Sequence, residues 1–220
     1  MNRKKVFISI LLLILVIVII FLIITIRKMV IIEDLNKKSA KYVNDDNHYE
    51  KIINTSDLSE TIAEYYCKGE KAVVILTRTN KTTGEVVKLS NYYTGDVANT
   101  YIDTGTDKVT YQNSNGLPSQ IMVIGFDYGN SIWNLFLLAV TSSFKNIEYQ
   151  GKDCYLFNSG MADDCIIEKE TGLRLKCKNG TEGEEKSEIN VEYFYEFSEV
   201  DDSVFIEPDI SEYRIEETNK

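Results

Sequence analysis

The chain has 220 residues and a formal net charge of −10 at pH 7, and this length is enough for one ordinary domain with a hydrophobic core once a terminal anchor is set aside. The first 28 residues hold five basic and no acidic side chains, so the remainder carries 19 basic and 34 acidic side chains, a net charge of −15. An acidic domain repels phosphate backbones and anionic lipid headgroups, because binding either depends on Lys and Arg displacing counterions, and this argues against nucleic acid as a partner.

The first predicted element is an apolar run from Val6 to Ile26 that only Ser9 and Thr25 interrupt. At about 1.5 Å per residue, a helix of this length crosses the ~30 Å hydrocarbon layer of a bilayer. A cleaved signal peptide has a shorter apolar core and a small-residue cleavage site, and the sequence has neither. We therefore predict a cytoplasmic basic tail and a single transmembrane signal-anchor within residues 1–28.

Basic residues flank both ends of the apolar run, and their distribution predicts its orientation. Arg3, Lys4 and Lys5 precede the run together with the free N-terminus, whereas Arg27 and Lys28 follow it. The side with the denser positive charge usually stays in the cytoplasm. We expect a cytoplasmic N-terminus and a C-terminal domain outside the cytoplasm, where an even number of cysteines permits disulfides.

A polar segment, residues 29–47, follows the anchor, and we interpret it as a juxtamembrane stalk into which the helix continues before it frays at residues 44–47. The extracytoplasmic domain is then 48–220. Near its start, Asp57-Leu58-Ser59-Glu60 has the pattern of a capping box, in which the first and last side chains bond to backbone N–H groups. This pattern predicts a helix that runs to about Lys68.

Beyond Lys68 the apolar residues alternate with polar ones, which is typical of strands in an antiparallel meander. Segments 72–77 and 85–89 predict a hairpin, because the connection between them contains Gly84, which can supply a positive φ. A half-buried strand is expected near 191–197, followed by a tail. Further strands are predicted near 98–102, 108–112 and 120–124.

An apolar segment from Ile132 to Val140 interrupts the strands and predicts a helix, with Asn130 or Ser131 as its N-cap. The segment is too short to cross a bilayer comfortably, so we expect it to be buried against the sheet. Its large apolar side chains are candidates for the lining of a hydrophobic ligand pocket, and the alternative is that they belong to the core. The candidates are Trp133, Phe136, Leu137 and Val140.

The sequence Glu170-Thr171-Gly172 predicts a hairpin loop whose register can be derived. If Gly172 occupies the left-handed position of a three-residue loop, Ile167 faces Leu175 and Cys165 faces Cys177. A slip by one residue would send Cys177 to the face opposite Cys165. The register therefore predicts a cross-strand disulfide.

The same register also pairs opposite charges on the other face of the hairpin, Glu168 with Arg174 and Asp164 with Lys178. Two cysteines then remain as a second candidate pair by elimination, and the alternative is that the cysteines are buried thiols. The candidate disulfides are Cys165 with Cys177 and Cys67 with Cys154.

Two C-terminal motifs carry a resemblance to a known family. Residues 166–173 read IIEKETGL, and residues 200–209 read VDDSVFIEPD. They resemble the strand-turn-TGLP hairpin and the terminal V-D-x-x-x-F-x-P-D signature of the LolA-like superfamily of periplasmic lipoprotein carriers and related lipid-binding lipoproteins, although Arg174 stands where that family often has Pro. The resemblance implies an α+β fold: a strongly bent antiparallel sheet, or unclosed half-barrel, with helices packed on one face and an interior that binds acyl chains or lipidated peptides.

Residues suited to catalysis are sparse. His48 is the only histidine, and its polar neighbours predict a solvated side chain rather than a member of a Ser-His-acid triad or a metal site. Runs of carboxylates at 163–164, 182–185 and 201–202 fit solvated turns better than calcium or acid–base sites. We expect no enzymatic activity, no cofactor and no metal.

These features predict a membrane-anchored extracytoplasmic protein that binds a hydrophobic ligand, such as a lipid, a lipoprotein or an acylated peptide. The alternative is an envelope sensor or interaction module that binds another membrane protein. A thiol oxidoreductase is disfavoured, because neither Cys165 nor Cys177 has the electropositive, helix-terminal setting that lowers a thiol pKa.

Overall fold

The computed structural model describes residues 3–43, 45, 47–95, 97–115, 131–159, 164–180 and 188–216. The chain begins with a 41-residue helix, α1 (Arg3–Val43), which is long and apolar enough to cross a membrane by length and composition. A large open sheet and a second helix, α2 (Ile132–Thr141), follow. The fold class is therefore α+β, as the sequence predicts. The predicted strand at 120–124 and the predicted cap Asn130 lie outside the described residues.

Twelve strands of the described chain join in a single sheet, and all the pairings except one are antiparallel. The first six form one meander and β7 to β11 form a second, and the two meanders meet where β1 pairs with β11. The strands are β1 (Asn47–Thr55), β2 (Ser59–Lys68), β3 (Lys71–Asn80), β4 (Val86–Thr94), β5 (Val97–Asp103), β6 (Lys108–Asn115), β7 (Ser143–Tyr149), β8 (Lys152–Asn158), β9 (Asp164–Glu168), β10 (Arg174–Gly180), β11 (Glu188–Glu196) and β12 (Arg214–Glu216).

Both helices lie on one face of the sheet, which we call the helical face. Ile32 and Leu35 of α1 are fully buried and belong to the same core cluster as Ile52 of β1 and Ile167 of β9. Helix α2 packs against α1 and adds Ala139 to this cluster. The core therefore lies between the helices and the half of the sheet where the two meanders meet.

In the segment predicted as a stalk, 29–47, the expected continuation of the helix is observed, but its packing on the sheet was not predicted. Helix α1 continues without interruption to Val43, and its second half packs on the sheet. The reason is a short apolar stripe: Ile32, Leu35 and the buried Ser39 recur at the three- and four-residue spacing of one helix face. The polar side chains around this stripe conceal it in the sequence.

The predicted helix at 57–68 is wrong, because this segment is strand β2. Ser56 and Ser59 close a turn instead of a helix cap, with the Ser56 N–H donating to the Ser59 carbonyl at 2.9 Å. Strand β2 is hydrogen-bonded along its whole length to β1 and β3. Its β-branched and aromatic residues suit a strand between two partners, and this pairing outweighs the local cap signal.

The hairpin between β9 and β10 agrees with the predicted register at its open end. Cys165 and Cys177 pair directly and form a disulfide, and Gly172 has the expected left-handed backbone, with φ 71°. A bulge between Arg174 and Lys176 shifts the register near the turn. The predicted pairing of Glu168 with Arg174 is therefore wrong, and the Glu168 carboxylate lies 3.0 Å from Lys152 instead.

The C-terminal tail covers the opposite face of the first meander. Lys68 of β2 holds the beginning of the tail through ion pairs of 3.1 Å with Glu199 and Asp202. Further along, the Glu207 carboxylate accepts a 2.5 Å hydrogen bond from the Tyr101 hydroxyl. The tail ends as β12, which pairs in parallel with the edge strand β6. One face of this meander is thus closed by the chain itself.

Candidate functional site

The helical face of the first meander continues beyond the helices as an apolar surface. Its centre is formed by Cys67 of β2 and Val74 of β3, which are buried. These residues share the face of Ile52 because side chains alternate along each strand and the register aligns the strands. We call this set the β2–β4 surface; its partly buried members are Tyr65, Ala72, Leu76 and Tyr93.

In the described part of the chain, the helices cover the helical face near β11 but not the β2–β4 surface. In the part nearer β11, α1 and α2 supply buried residues of the core cluster. On the β2–β4 surface, every member among the described residues belongs to a strand. Apolar side chains such as Leu76 and Tyr93 therefore stay only partly buried, and this leaves area that another apolar molecule can cover.

A buried carboxylate lies between these two parts. Glu50 of β1 is 1 % exposed and is paired across the strands with Tyr65 on β2 and Tyr195 on β11. Burial raises the pKa of Tyr195 well above its usual value, and the nearby Glu50 charge raises it further. The same two causes raise the pKa of Tyr65. Both phenols therefore remain protonated and keep their hydrogen-bond donors beside an apolar surface.

A second concave feature lies between α1 and the last strands of the sheet. It is a cavity of about 300 Å³, which we call the α1 cavity. The helix contributes side chains at the i, i+3, i+4 and i+7 positions of one face, and β7 and β8 contribute the opposite wall. The lining residues are Ile24, Arg27, Lys28 and Ile31 from α1, and Phe144, Asn146 and Tyr155 from the strands.

The chemistry of the α1 cavity combines apolar walls with positive charge. Phe144 and Tyr155 form an edge-to-face pair with ring centroids 5.6 Å apart, and Asn146 is the cross-strand partner of Tyr155. Lys28 also donates a hydrogen bond to the carbonyl oxygen of Ser142, the residue that ends α2. This bond connects α1, which lines the cavity, to the C-terminal end of α2.

Helix α2 has two different faces. Ala139 is fully buried, and Leu135 and Leu138 are partly buried against the core. The opposite face is open: Trp133 is 71 % exposed and Leu137 58 % exposed. The sequence did not reveal which side faces inward, because a helix that is apolar nearly all round has no periodic signal.

The residues predicted to line a ligand pocket lie on this helix. Trp133, Leu137 and Val140 are exposed, and Phe136 is half-buried with its ring 6.4 Å from that of Trp133. Their role in ligand binding stays a prediction. The β2–β4 surface was not foreseen because β2 was predicted to be a helix, and the α1 cavity was not foreseen because it joins segments more than a hundred residues apart. Ser131 precedes α2 as predicted but makes no side-chain capping bond.

The second candidate disulfide is not formed. Cys67 and Cys154 are buried cysteines outside any disulfide, and their strands, β2 and β8, are five positions apart in the sheet. Burial raises the pKa of the Cys154 thiol, and the Glu168 charge adds to this effect. A thiol that stays protonated is a poor nucleophile, so this position does not favour thiol chemistry.

The prediction of a solvated His48 is wrong. Its side chain is buried at 2 % exposure, where its ring lies near Phe197 and its Nδ1 is 2.6 Å from the carbonyl oxygen of Asp45. The alternation along β1 places it on the helical face, which its polar sequence neighbours conceal. Within the described ranges, no group of three or more His, Cys, Asp or Glu side chains is arranged to hold a metal ion.

No protein-family model and no curated protein matches the chain. Among solved structures, the chain is similar to the crystal structure of a LolA superfamily protein from Nitrosomonas europaea, with 10 % sequence identity and a TM-score of 0.27. The match covers 80 % of this chain and 97 % of that one.

Proposed function

We propose that this chain is a membrane-anchored extracytoplasmic protein that binds a hydrophobic ligand on the helical face of its sheet. The ligand class is a lipid, a lipoprotein or an acylated peptide. The observation that carries the proposal is the β2–β4 surface, where apolar side chains continue beyond the helices and Leu76 and Tyr93 remain partly buried. The resemblance of the two C-terminal motifs to LolA-like carriers supports the same ligand class.

The energetics favour an acyl chain over a small polar ligand. Each methylene group that is fully buried gains about 0.8 kcal/mol, whereas association itself costs roughly 4–15 kcal/mol. A ligand must therefore bury a long apolar segment to bind. The β2–β4 surface offers such a length, because its partly buried apolar residues continue from Tyr65 through Leu76 to Tyr93 across three strands.

Anchoring is supported by the continuity of α1. Its N-terminal part exposes apolar side chains from Phe7 to Ile26, as a membrane helix does, while its second half is part of the domain core. The denser basic cluster before the apolar run favours a cytoplasmic N-terminus. We expect alkaline carbonate to leave the chain in the membrane fraction, and protease added to intact cells to digest the domain.

Uptake of a fluorescent fatty acid by the delipidated full chain tests the binding proposal. Leu76→Gln is expected to weaken uptake about tenfold, as expected for about 1.4 kcal/mol of lost apolar contact. Ile75→Gln is the matched control, because Ile75 is the half-buried neighbour on the opposite face of β3. Equal uptake by both variants, or no uptake by the wild type and no lipid in native mass spectrometry, would refute the proposal.

The same preparation distinguishes the alternative function. A stoichiometric membrane protein that is crosslinked to the chain in its native membrane, while fatty-acid uptake is absent, would identify an interaction module instead. Uptake that is sensitive to Leu76→Gln and insensitive to Ile75→Gln would favour the binding protein.

A further inference from the structure

The α1 cavity lies at the point where the apolar run of α1 ends. Ile24 belongs to that run, and Arg27 and Lys28 are the first charged residues after it. The opposite wall, Phe144 and Tyr155, belongs to the sheet. If α1 spans the membrane as proposed above, the cavity therefore lies at the membrane–water interface, and the sheet lies against the bilayer surface without an intervening linker.

Within the described ranges, no carboxylate forms an ion pair with the positive charges of this cavity. The nearest acidic residues of α1, Glu33 and Asp34, are paired with Lys37 and Lys38 at 2.6 and 2.7 Å. Among the described residues, these pairs leave Arg27 without a carboxylate partner. Arg27 thus presents a planar set of five N–H donors, a geometry that matches the oxygens of a phosphate.

Lys28 complements Arg27 in a different way. One of its three N–H donors is used by the carbonyl oxygen of Ser142, and the charge remains. That bond holds the end of α2 beside the cavity. The apolar side of the cavity, formed by Ile31 and Phe144, suits the glycerol and first methylene groups of a lipid, while the two cations suit its phosphate.

We propose that the α1 cavity binds the anionic headgroup of a phospholipid from the membrane in which α1 is embedded. The chain beyond residue 28 carries a net charge of −15, but Arg27 and Lys28 belong to the basic segment before it. A pair of cations beside apolar walls at the end of a membrane helix attracts anionic lipid locally, and each basic residue near such a surface contributes roughly fivefold in affinity. The site rests on the anchoring in the proposed function but is separate from the β2–β4 surface, since the two share no residue.

Native mass spectrometry of the full chain in detergent, with phosphatidylglycerol or phosphatidylcholine of identical acyl chains, tests this site. We expect preferential retention of phosphatidylglycerol. Arg27→Gln should lower that preference about fivefold, and Arg27→Lys should keep most of it. Lys41→Gln is the matched control, because it removes one exposed positive charge from the same helix more than three turns away.

Several results would overturn the site: equal retention of the two lipids by the wild type, equal effects of Arg27→Gln and Lys41→Gln, or displacement of phosphatidylglycerol by inorganic phosphate at constant ionic strength. The last result would identify a free-phosphate site. Fatty-acid uptake is measured on the same samples and should be unaffected by Arg27→Gln. Selective phosphatidylglycerol binding without fatty-acid uptake would refute the proposed function and leave this site, and the reverse result would refute this site alone.

Discussion

Substitution of Gly172 by alanine is expected to separate helix α1 from the sheet. Gly172 lies in the turn between β9 and β10 with a left-handed backbone, φ 71°. An added Cβ would lie 2.3 Å from the carbonyl oxygen of Leu35 and 3.0 Å from the backbone nitrogen of Ser39. Both atoms belong to the helix backbone, so no side-chain rotation relieves the overlap. The helix or the turn must move by about 1 Å to restore an ordinary contact.

The expected magnitude has two parts, and Gly84 separates them. Gly84 also has a left-handed backbone, φ 74°, but its added Cβ would meet no atom within 4 Å. Gly84→Ala therefore measures the conformational cost alone, about 1–2 kcal/mol. Gly172→Ala adds the displacement of the fully buried Leu35, and overpacking of this kind costs about 1–3 kcal/mol more.

Denaturant unfolding of the full chain in detergent measures both variants, and limited trypsin digestion reports the helix itself. Lys38 of α1 donates a 2.8 Å hydrogen bond to the carbonyl oxygen of Lys169 in the same turn, so a displaced helix should be cleaved there sooner. We expect faster cleavage in Gly172→Ala and little change in Gly84→Ala. Equal stability and equal cleavage would show that this turn does not hold α1.

Two further predictions concern the tail and α2. Burial and then the hydrogen bond to Glu207 raise the pKa of Tyr101 to about 12. Because its pKa in the unfolded chain is about 10, the contribution of Tyr101 to stability is complete below pH 10 and is lost as the pH rises towards 12. Proteolysis of the tail should therefore increase over that pH range in the wild type, whereas in Tyr101→Phe it should already be increased and should not depend on pH in this way. Trp133 is the only tryptophan and is exposed on a helix that packs against α1. Its fluorescence emission in vesicles should therefore be quenched by brominated phosphatidylcholine. Unquenched fluorescence at the wavelength of water-exposed indole would place α2 away from the bilayer.

Local sequence patterns predicted the structural features that depend on strand alternation and on turn residues. The pairing of Cys165 with Cys177 was predicted correctly, although the count towards it was wrong near the turn: Ile167 pairs with Arg174 instead of Leu175, and the bulge between Arg174 and Lys176 restores the register at the cysteines. The bulge beside Arg174 was not predicted, because no residue in the hairpin requires it locally. Strand β2 was mistaken for a helix for a related reason, since its neighbours β1 and β3 decide its conformation.

The packing of α1 on the sheet was missed because of the composition of the second half of the helix, and not because the contacting residues are distant in sequence. Ile32 follows the apolar residues Met29 to Ile31, whereas Leu35 stands among polar and charged residues, and these positions form too weak a periodic stripe to outweigh the appearance of a stalk. The α1 cavity could not be predicted either, because β7 and β8 lie more than a hundred residues further along the chain. Only the three-dimensional fold brings Arg27 next to Tyr155.

One continuous helix carries both the apolar run and part of the domain core, and this restricts how such a protein can work in a membrane. From Ile26 to Ile32 the helix rises only about 9 Å, so if α1 spans the membrane as proposed, the sheet cannot move away from the bilayer by extending a linker. Loss of the contacts of Ile32 and Leu35 would be required first, and burial of this kind is worth about 1.5–3 kcal/mol for each side chain. In the proposed function, a domain held beside the bilayer in this way fits a fixed receptor better than a carrier that shuttles between membranes.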